Sequence, residues 1–361
     1  MNDGKSFVHP HQYSVKSFEH KETMRTALPP ELDVTVVIPA YNRATLITRA
    51  LNSVLNQSSR PREIVVVDDA SSDDTVARVE AWRDQAGFPV RIEKLAKNGG
   101  VAAARNHAMQ VATTRYIAFL DSDDEHLPET LTTLVSVLEE TPDAVLAFAD
   151  AAKVMPTKRI PNAMFGAKLD IRTIADPIGT AEQRRFMLRD PKSAFLKASL
   201  IATCSTCFRR DDALAVGGMP GGFRNGEDWL FWLKLSQRGR FVFVQEDLAL
   251  VHRHLQNLTS PSSAADTSLA KLAGYHAILN GSLGINIDAS QRQLVETFMG
   301  ESVKLLRYQS SRLGFVNYLR YVSRVPGERK RSLMAHVLTD PRSTLRSVAL
   351  SFARKAEHTS D

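Results

Sequence analysis

Short apolar runs rich in β-branched residues recur along the first two thirds of the chain, each closed by polar residues. Between them apolar side chains return every three or four positions. The run 34–39, stopped by Pro39, predicts a first buried strand. Leu46, Ile47, Ala50, Leu51, Val54 and Leu55 then share one helical face. Residues 63–67 predict a second strand, 73–82 a helix, 90–94 a third strand, and Asn98-Gly99-Gly100 a turn into a helix over 101–111. A fourth strand over 116–120, a helix over 128–140 and a strand over 144–150 follow. Residues 151–195 have mixed polarity without a period and predict a long insertion beside the active site. Strands over 199–210 and 241–251 flank Gly226-Glu227-Asp228-Trp229 and a helix over 230–235.

Strands alternating with helices of this length predict an α/β fold with a doubly wound, mostly parallel sheet. Beyond Pro261 the texture is helical: Leu269, Leu272, Ala273, His276 and Leu279, then Leu294, Phe298, Val303, Leu305 and Leu306, sit at three- and four-residue spacing. Pro326 and Pro341 divide the remainder into short basic amphipathic helices. The expected organisation is a polar arm over 1–33, a sheet domain over 34–260 and a helical basic region over 261–361.

The acidic residues stand where buried strands reach the surface. Asp68-Asp69 closes the second strand, and Asp121, Asp123 and Asp124 close the fourth. In open parallel sheets ligands bind outside the carboxyl ends of the strands, where carboxylates can grip a hydrated cation, a base or a ribose. Either cluster also suits a helix cap.

Composition narrows the class. At 361 residues, 43% hydrophobic and 24% charged, the chain can bury a sizeable core and has no fibrous or disordered character. Two cysteines, Cys204 and Cys207, rule out a disulfide framework and suit a reducing cytosol; within a predicted strand they read as packed thiols. No apolar run is long enough to span a membrane, and no export signal is evident. The net charge of +6 is concentrated in residues 291–361, with thirteen Lys/Arg against six Asp/Glu. Basic residues there alternate with Phe315, Tyr318, Leu319, Val322, Leu345 and Val348, a pattern suited to an anionic membrane surface or to helices packed on a partner. No nucleic-acid recognition fold is apparent.

Six motifs in order carry a family resemblance: Val37-Ile38-Pro39-Ala40-Tyr41-Asn42-Arg43, Ser53-Val54-Leu55-Asn56-Gln57, Val66-Val67-Asp68-Asp69-Ala70-Ser71-Ser72-Asp73, Asn98-Gly99-Gly100 with Ala104-Arg105-Asn106, Asp121-Ser122-Asp123-Asp124, and Gly226-Glu227-Asp228. Together they resemble the inverting family 2 glycosyltransferases of GT-A fold, over roughly residues 34–260. The resemblance implies a nucleoside-diphosphate sugar donor, most simply a UDP-sugar. It implies a glycan or lipid-linked acceptor and a role in cell-surface polysaccharide or glycoconjugate synthesis, at the cytoplasmic face of a membrane.

It also implies site residues. Pro39 and Tyr41 would wall the base and Asp69 would accept the uracil N3–H. Arg105 would pair with the diphosphate or hold the acidic loop. Asp123 would bind Mn²⁺ or Mg²⁺ directly, with Asp121 towards the ribose and metal-bound water, and Asp124 behind them or capping a helix. Asp228 would be the general base, and His254, favoured over His252, would complete the metal shell or bind the diphosphate. Hard cations prefer such oxygen donors, and a cation offsets the growing charge of a leaving diphosphate. The pair Val251-His252 stands where the commoner form of the motif has Tyr-Arg.

Two other readings bear on the same residues. A nucleotidyltransferase would use a Gly-rich triphosphate loop near the first strand, and Pro39-Ala40-Tyr41-Asn42 is not one; nor is there a P-loop. Intact Asp121, Asp123 and Asp228 argue against a non-catalytic nucleotide-sugar-binding scaffold.

Overall fold

The computed structural model describes residues 30–163, 170–197, 200–223, 225–253, 264–325 and 339–357, the side chains of 352–357 excepted. In chain order its elements are β1 (Glu31–Ala40), α1 (Ile47–Leu55), β2 (Arg60–Asp68), α2 (Thr75–Ala86), β3 (Val90–Lys94), α3 (Val101–Val111), β4 (Tyr116–Phe119), β5 (Glu125–His126), α4 (Thr130–Glu140), β6 (Ala144–Met155) and β7 (Lys158–Ile160). There follow β8 (Ala175–Ile178), β9 (Arg185–Leu188), α5 (Pro191–Leu196), β10 (Thr206–Arg209), α6 (Arg210–Ala215), α7 (Glu227–Leu235), β11 (Arg240–His252), α8 (Ala264–Leu279), α9 (Ala289–Ser311), α10 (Phe315–Val322) and α11 (Pro341–Glu357).

The strands form one sheet in the order β3-β2-β1-β4-β10-β6-β11-β9-β8, with β5 on β11 and β7 on β6. β1, β2, β3 and β4 are parallel, as are β6 and β11, whereas β10 runs antiparallel between β4 and β6. Period-2 alternation divides the strand side chains between two cores. Val37, Val65, Ile117, Phe119, Phe148, Phe208 and Phe243 meet α3 and α7 on one face. Val36, Ile38, Ile64, Val66, Ala118, Cys207 and Val242 meet α1, α2 and α4 on the other. Both cores are apolar because strands covered on both faces have no solvent side.

Residues 151–195 depart from expectation. Their described part, 151–163 and 170–195, is not an insertion beside the active site: β6 runs on to Met155, and the antiparallel pair β8 and β9 extends the sheet along β11. The predicted strand over 199–210 is a 3₁₀ turn over Thr203–Ser205 followed by the four residues of β10. Both cysteines are free and buried.

The helices after residue 264 continue the sheet domain's core. Tyr275 of α8 stacks edge-on against Trp229 of α7 at 5.1 Å and donates its hydroxyl to the Lys197 carbonyl at 2.7 Å. Gly274 permits this close approach, since a Cβ there would lie 2.7 Å from the Trp229 ring. A smaller cluster of Ala265, Leu272, Leu306 and Val325 joins α8, α9 and the chain just beyond α10. Among the described residues no helix is long and apolar enough to cross a membrane.

Candidate active site

The loops after β1 and β2 are laced together at the carboxyl edge of the sheet. Asp69 N–H donates to the Ala40 carbonyl at 2.8 Å, Asn42 N–H to Ser71 Oγ at 2.9 Å, and Ser72 N–H to Asn42 Oδ1 at 2.9 Å. The lacing holds Asn42 and Ala70 at φ of +53° and +61°. Left-handed backbone is costly for a residue with a Cβ, and such strain gathers where a loop must hold a fixed shape.

Asp69 is buried and bridges to the next loop. Its Oδ1 accepts the Gly99 N–H at 2.7 Å and its Oδ2 the Gly100 N–H at 2.8 Å, fixing the turn that starts α3. Gly99 is required there, because a Cβ would stand 2.8 Å from the Ala103 Cβ. Each carboxylate oxygen retains a lone pair for a further donor.

Arg105, one turn into α3, is the cation at the centre. It is 3% exposed, donates to Asp121 Oδ1, lies 3.7 Å from Glu227 Oε1 and sits over the Phe119 ring at 5.2 Å. Burial alone would lower its pKa; Asp121, Glu227 and Asp228 outweigh it and keep the guanidinium charged. Of the two expected uses, Arg105 in this structure holds the acidic loop.

That loop leaves β4 at Leu120. Asp121 is half-buried, and Asp123 is half-buried beside it. Asp124 turns inward, is 5% exposed, and accepts the His252 N–H at 2.9 Å. Burial, then the charges of Asp121 and Asp123, push Asp124 well above the usual carboxylate range, against hydrogen bonds from His252 and the Cys204 thiol. Burial and Asp124 likewise push the Cys204 thiol up.

The start of α7 also lines the site, and there Gly226 takes φ of +85° to turn the chain. Asp228 Oδ1 accepts the Trp229 N–H at 2.7 Å and Oδ2 lies 3.4 Å from Thr203 Oγ1. Burial raises Asp228, with the Trp229 N–H and Arg105 pulling it back. Glu227, 7% exposed, is pushed up to about 7 by burial and then by the charge of Asp228, against the pull of Arg105.

One cavity of about 750 Å³ joins these groups. Pro39, Tyr41, Asp69, Arg105, Asp121, Asp123 and Asp228 all line it, Tyr41 at the rim with 45% exposure. His254 lies outside the described residues. His252 contributes its backbone to Asp124 and its ring to Glu125, at 2.6 Å between Nε2 and Oε1. Sequence reasoning missed Thr203 and Cys204 as lining residues. The signal was the alternation of hydroxyl residues with Cys204 over 203–206, unusual in a fully apolar strand.

Among the described residues no three His, Cys, Asp or Glu side chains converge as a metal-binding group. The loop nonetheless offers hard oxygen donors, and after burial the charges of Asp121 and Asp123 add to the upward shift of Asp124. Such a set fits a cation held by one or two carboxylates with substrate phosphate and water completing the shell.

The profile described as "Glycosyl transferase family 2" matches residues 35–214. The chain belongs to that family. The succinoglycan biosynthesis protein ExoO of Rhizobium meliloti is 45% identical over 103 residues, which are 28% of this chain and 29% of that protein, so less than a third of that relative's length is matched. Among solved structures, S. aureus TarS 1-349 in complex with UDP-GlcNAc superimposes with a TM-score of 0.56 at 22% identity, covering 82% of each chain. The mannosyltransferase PcManGT from Pyrobaculum calidifontis, in complex with GDP-Man and Mn²⁺, gives 0.53 at 18% identity, covering 89% of this chain and 81% of that one. At these identities the structural likenesses establish the fold of this family 2 chain, a mostly parallel GT-A sheet flanked by helices.

Proposed function

We propose that this glycosyltransferase moves a sugar from a nucleoside-diphosphate sugar, a UDP-sugar as the first choice, to a glycan or lipid-linked acceptor, with inversion at the anomeric carbon. The observation that carries the reading is that Asp123 and Asp228 line the same cavity as Asp69 and Tyr41. A nucleotide lying from Asp69 and Tyr41 towards the acidic loop presents its diphosphate to Asp123 and its sugar to the start of α7. TarS bound to UDP-GlcNAc and ExoO in succinoglycan synthesis support a nucleotide-sugar donor and a polysaccharide or glycoconjugate product. The Mn²⁺ in the PcManGT complex supports a divalent cation, Mn²⁺ or Mg²⁺.

Each residue then has one task. Pro39 and Tyr41 wall the base, while Asp69 accepts the uracil N3–H on the lone pairs its loop contacts leave. Arg105 keeps Asp121 in place and balances the acidic cluster. A bound cation, held by Asp123 with Asp121 beside it, supplies positive charge against the leaving diphosphate. Asp228 takes the proton of the acceptor hydroxyl as that oxygen attacks the anomeric carbon from the face opposite the diphosphate; its raised pKa makes it a stronger base than an ordinary carboxylate. The C–O bond to the acceptor forms as the C–O bond to the diphosphate breaks, and one displacement inverts the centre. His254 remains part of the proposal as a further ligand of the cation or diphosphate.

The helical region is proposed to rest peripherally on an anionic membrane surface, where a lipid-linked acceptor would lie. Its support is the basic excess of residues 291–361 together with exposed Leu294, Leu305, Tyr308, Val316 and Leu345 on α9, α10 and α11. Like the boundaries of the arm over 1–33, the sheet domain over 34–260 and the region over 261–361, this is our reading of the chain.

The decisive assay is nucleoside-diphosphate release from a panel of UDP- and GDP-sugars with Mn²⁺. Release from a UDP-sugar, lowered about 10²- to 10⁴-fold for acceptor transfer in Asp228→Asn, is the expected result. Full turnover by Asp228→Asn would remove the base assignment, and no release from any sugar nucleotide would remove the donor reading.

A further inference from the structure

The acidic loop is held from outside the cavity by residues with no part in the chemistry above. Arg49 and Ser53 of α1 and Gln57 just beyond it follow at four-residue spacing, one helical turn apart, and all three meet the main chain of 123–127. Arg49 donates to the Asp123 carbonyl, the His126 N–H donates to Ser53 Oγ at 3.1 Å, and Gln57 donates to the Leu127 carbonyl at 2.7 Å. Arg49 also faces Glu125, with Nε 3.6 Å from Oε1, and the same Oε1 meets His252 Nε2 at 2.6 Å. His252 in turn gives its backbone N–H to Asp124.

We propose that Arg49 is a positioning residue for the cation loop, with Glu125 as the tie that couples it to His252. The contacts divide the loop among three elements. Arg105 of α3 holds the Asp121 side chain, the His252 backbone of β11 holds the Asp124 side chain, and Arg49 of α1 holds the Asp123 main chain. Asp123 projects towards the cavity from the very peptide whose carbonyl Arg49 grips. Asp121 and Asp123, two residues apart, repel one another, so the loop would splay without a tether and a countercharge on its outer side. Arg49 supplies both, and leaves the carboxylates preorganised before a cation arrives. A surface Arg–Glu pair would account for the contact with Glu125 but not for the bond to the Asp123 carbonyl.

The inference rests on the reading that Asp123 holds the donor's cation. It is tested with Mn²⁺ titrated against a fixed excess of UDP, the free ion followed by electron paramagnetic resonance, together with the melting temperature of each metal-free protein. Arg49→Ala is expected to raise the Mn²⁺ concentration for half-saturation about 10- to 100-fold. Its melting temperature should stay within about 2 °C of wild type, as for a surface substitution. Arg49→Lys, which can still donate to the Asp123 carbonyl, should recover part of the affinity. Glu125→Gln, which keeps a partner for His252 and loses the charge facing Arg49, should fall between. Half-saturation within twofold of wild type in Arg49→Ala, or equal losses in the Ala and Lys variants that track a fall in melting temperature, would overturn the positioning role and leave the donor reading standing. A wild-type protein that takes up no Mn²⁺ with UDP would overturn both.

Discussion

Glu227 is a buried carboxylate that the fold holds at a cost, and its replacement by Gln is a direct test of the electrostatics of the site. Its pKa rises from 4.5 to about 7, a shift of about 3 kcal/mol in favour of the neutral form. The attraction of Arg105 is already inside that net shift. The folded state therefore binds the proton more tightly than the unfolded chain. Stability is highest below the unfolded pKa, is lost as pH rises towards about 7, and is flat above it. Glu227→Gln keeps the shape and removes the charge, so it should leave stability almost unchanged near pH 4.5 and raise it by up to about 3 kcal/mol at pH 8. At about 2–4 °C per kcal/mol for a domain of this class, the melting temperature at pH 8 should rise by up to about 6–12 °C. Differential scanning calorimetry of both proteins at the two pH values reads this, since other titrating groups cancel in the comparison. An equal shift at both pH values, or a loss at pH 8, would refute the burial argument and point to a net favourable Arg105–Glu227 pair.

The proposed base bears on the rate. In the proposed mechanism Asp228 acts ionised, and burial raises its carboxyl, so kcat/KM should begin to fall at a higher pH than an ordinary carboxylate base would show; a profile flat down into the usual carboxylate range would contradict the assignment. Gly99→Ala puts a Cβ 2.8 Å from Ala103 and disturbs the turn that Asp69 holds. It should cost about 1–3 kcal/mol in denaturant unfolding and weaken UDP binding, and wild-type values for both would show that the turn yields freely. Val316 and Leu345 are 72% and 70% exposed, and placing Asp at both should release the protein from anionic phosphatidylserine vesicles in a sedimentation assay. Unchanged sedimentation of the double variant, or no sedimentation of the wild type, would contradict the membrane contact.

β1, β2 and β4 were legible because each is an apolar run closed by proline or aspartate, and burial on both faces leaves no polar alternation to obscure them; β3, Val-Arg-Ile-Glu-Lys, shows the alternation of a strand at the rim of the sheet. The ends of those runs, at Pro39, Asp69 and Asp121, are also where the cavity opens, so most of its lining was readable with them. The edge strand β8 and its neighbour β9 were not: Ala-Asp-Pro-Ile and Arg-Phe-Met-Leu are only four residues each, and β8 carries Asp176 and Pro177, which an edge tolerates and a central strand would not. The reversal of β10 was hidden because an apolar run carries no direction. The bonds that define the site were hidden by distance along the chain. Arg105 finds Asp121 sixteen residues away and Glu227 on α7, on the same face of the sheet, and Asp69 is occupied by a glycine turn thirty residues on. A lone Arg on a small-residue helix gives no sign of such partners, nor does Arg49, whose target is a main-chain carbonyl.

The central claim is that the cavity between Tyr41, Asp69 and Asp123 takes a nucleoside diphosphate through a divalent cation. Calorimetric titration of UDP into the purified protein, with and without Mn²⁺, in wild type and in Asp123→Asn, tests it most directly. Mn²⁺-dependent binding in the wild type, abolished by Asp123→Asn, is the result the account predicts; binding that ignores both the cation and the substitution, or no binding of UDP at all, would contradict it.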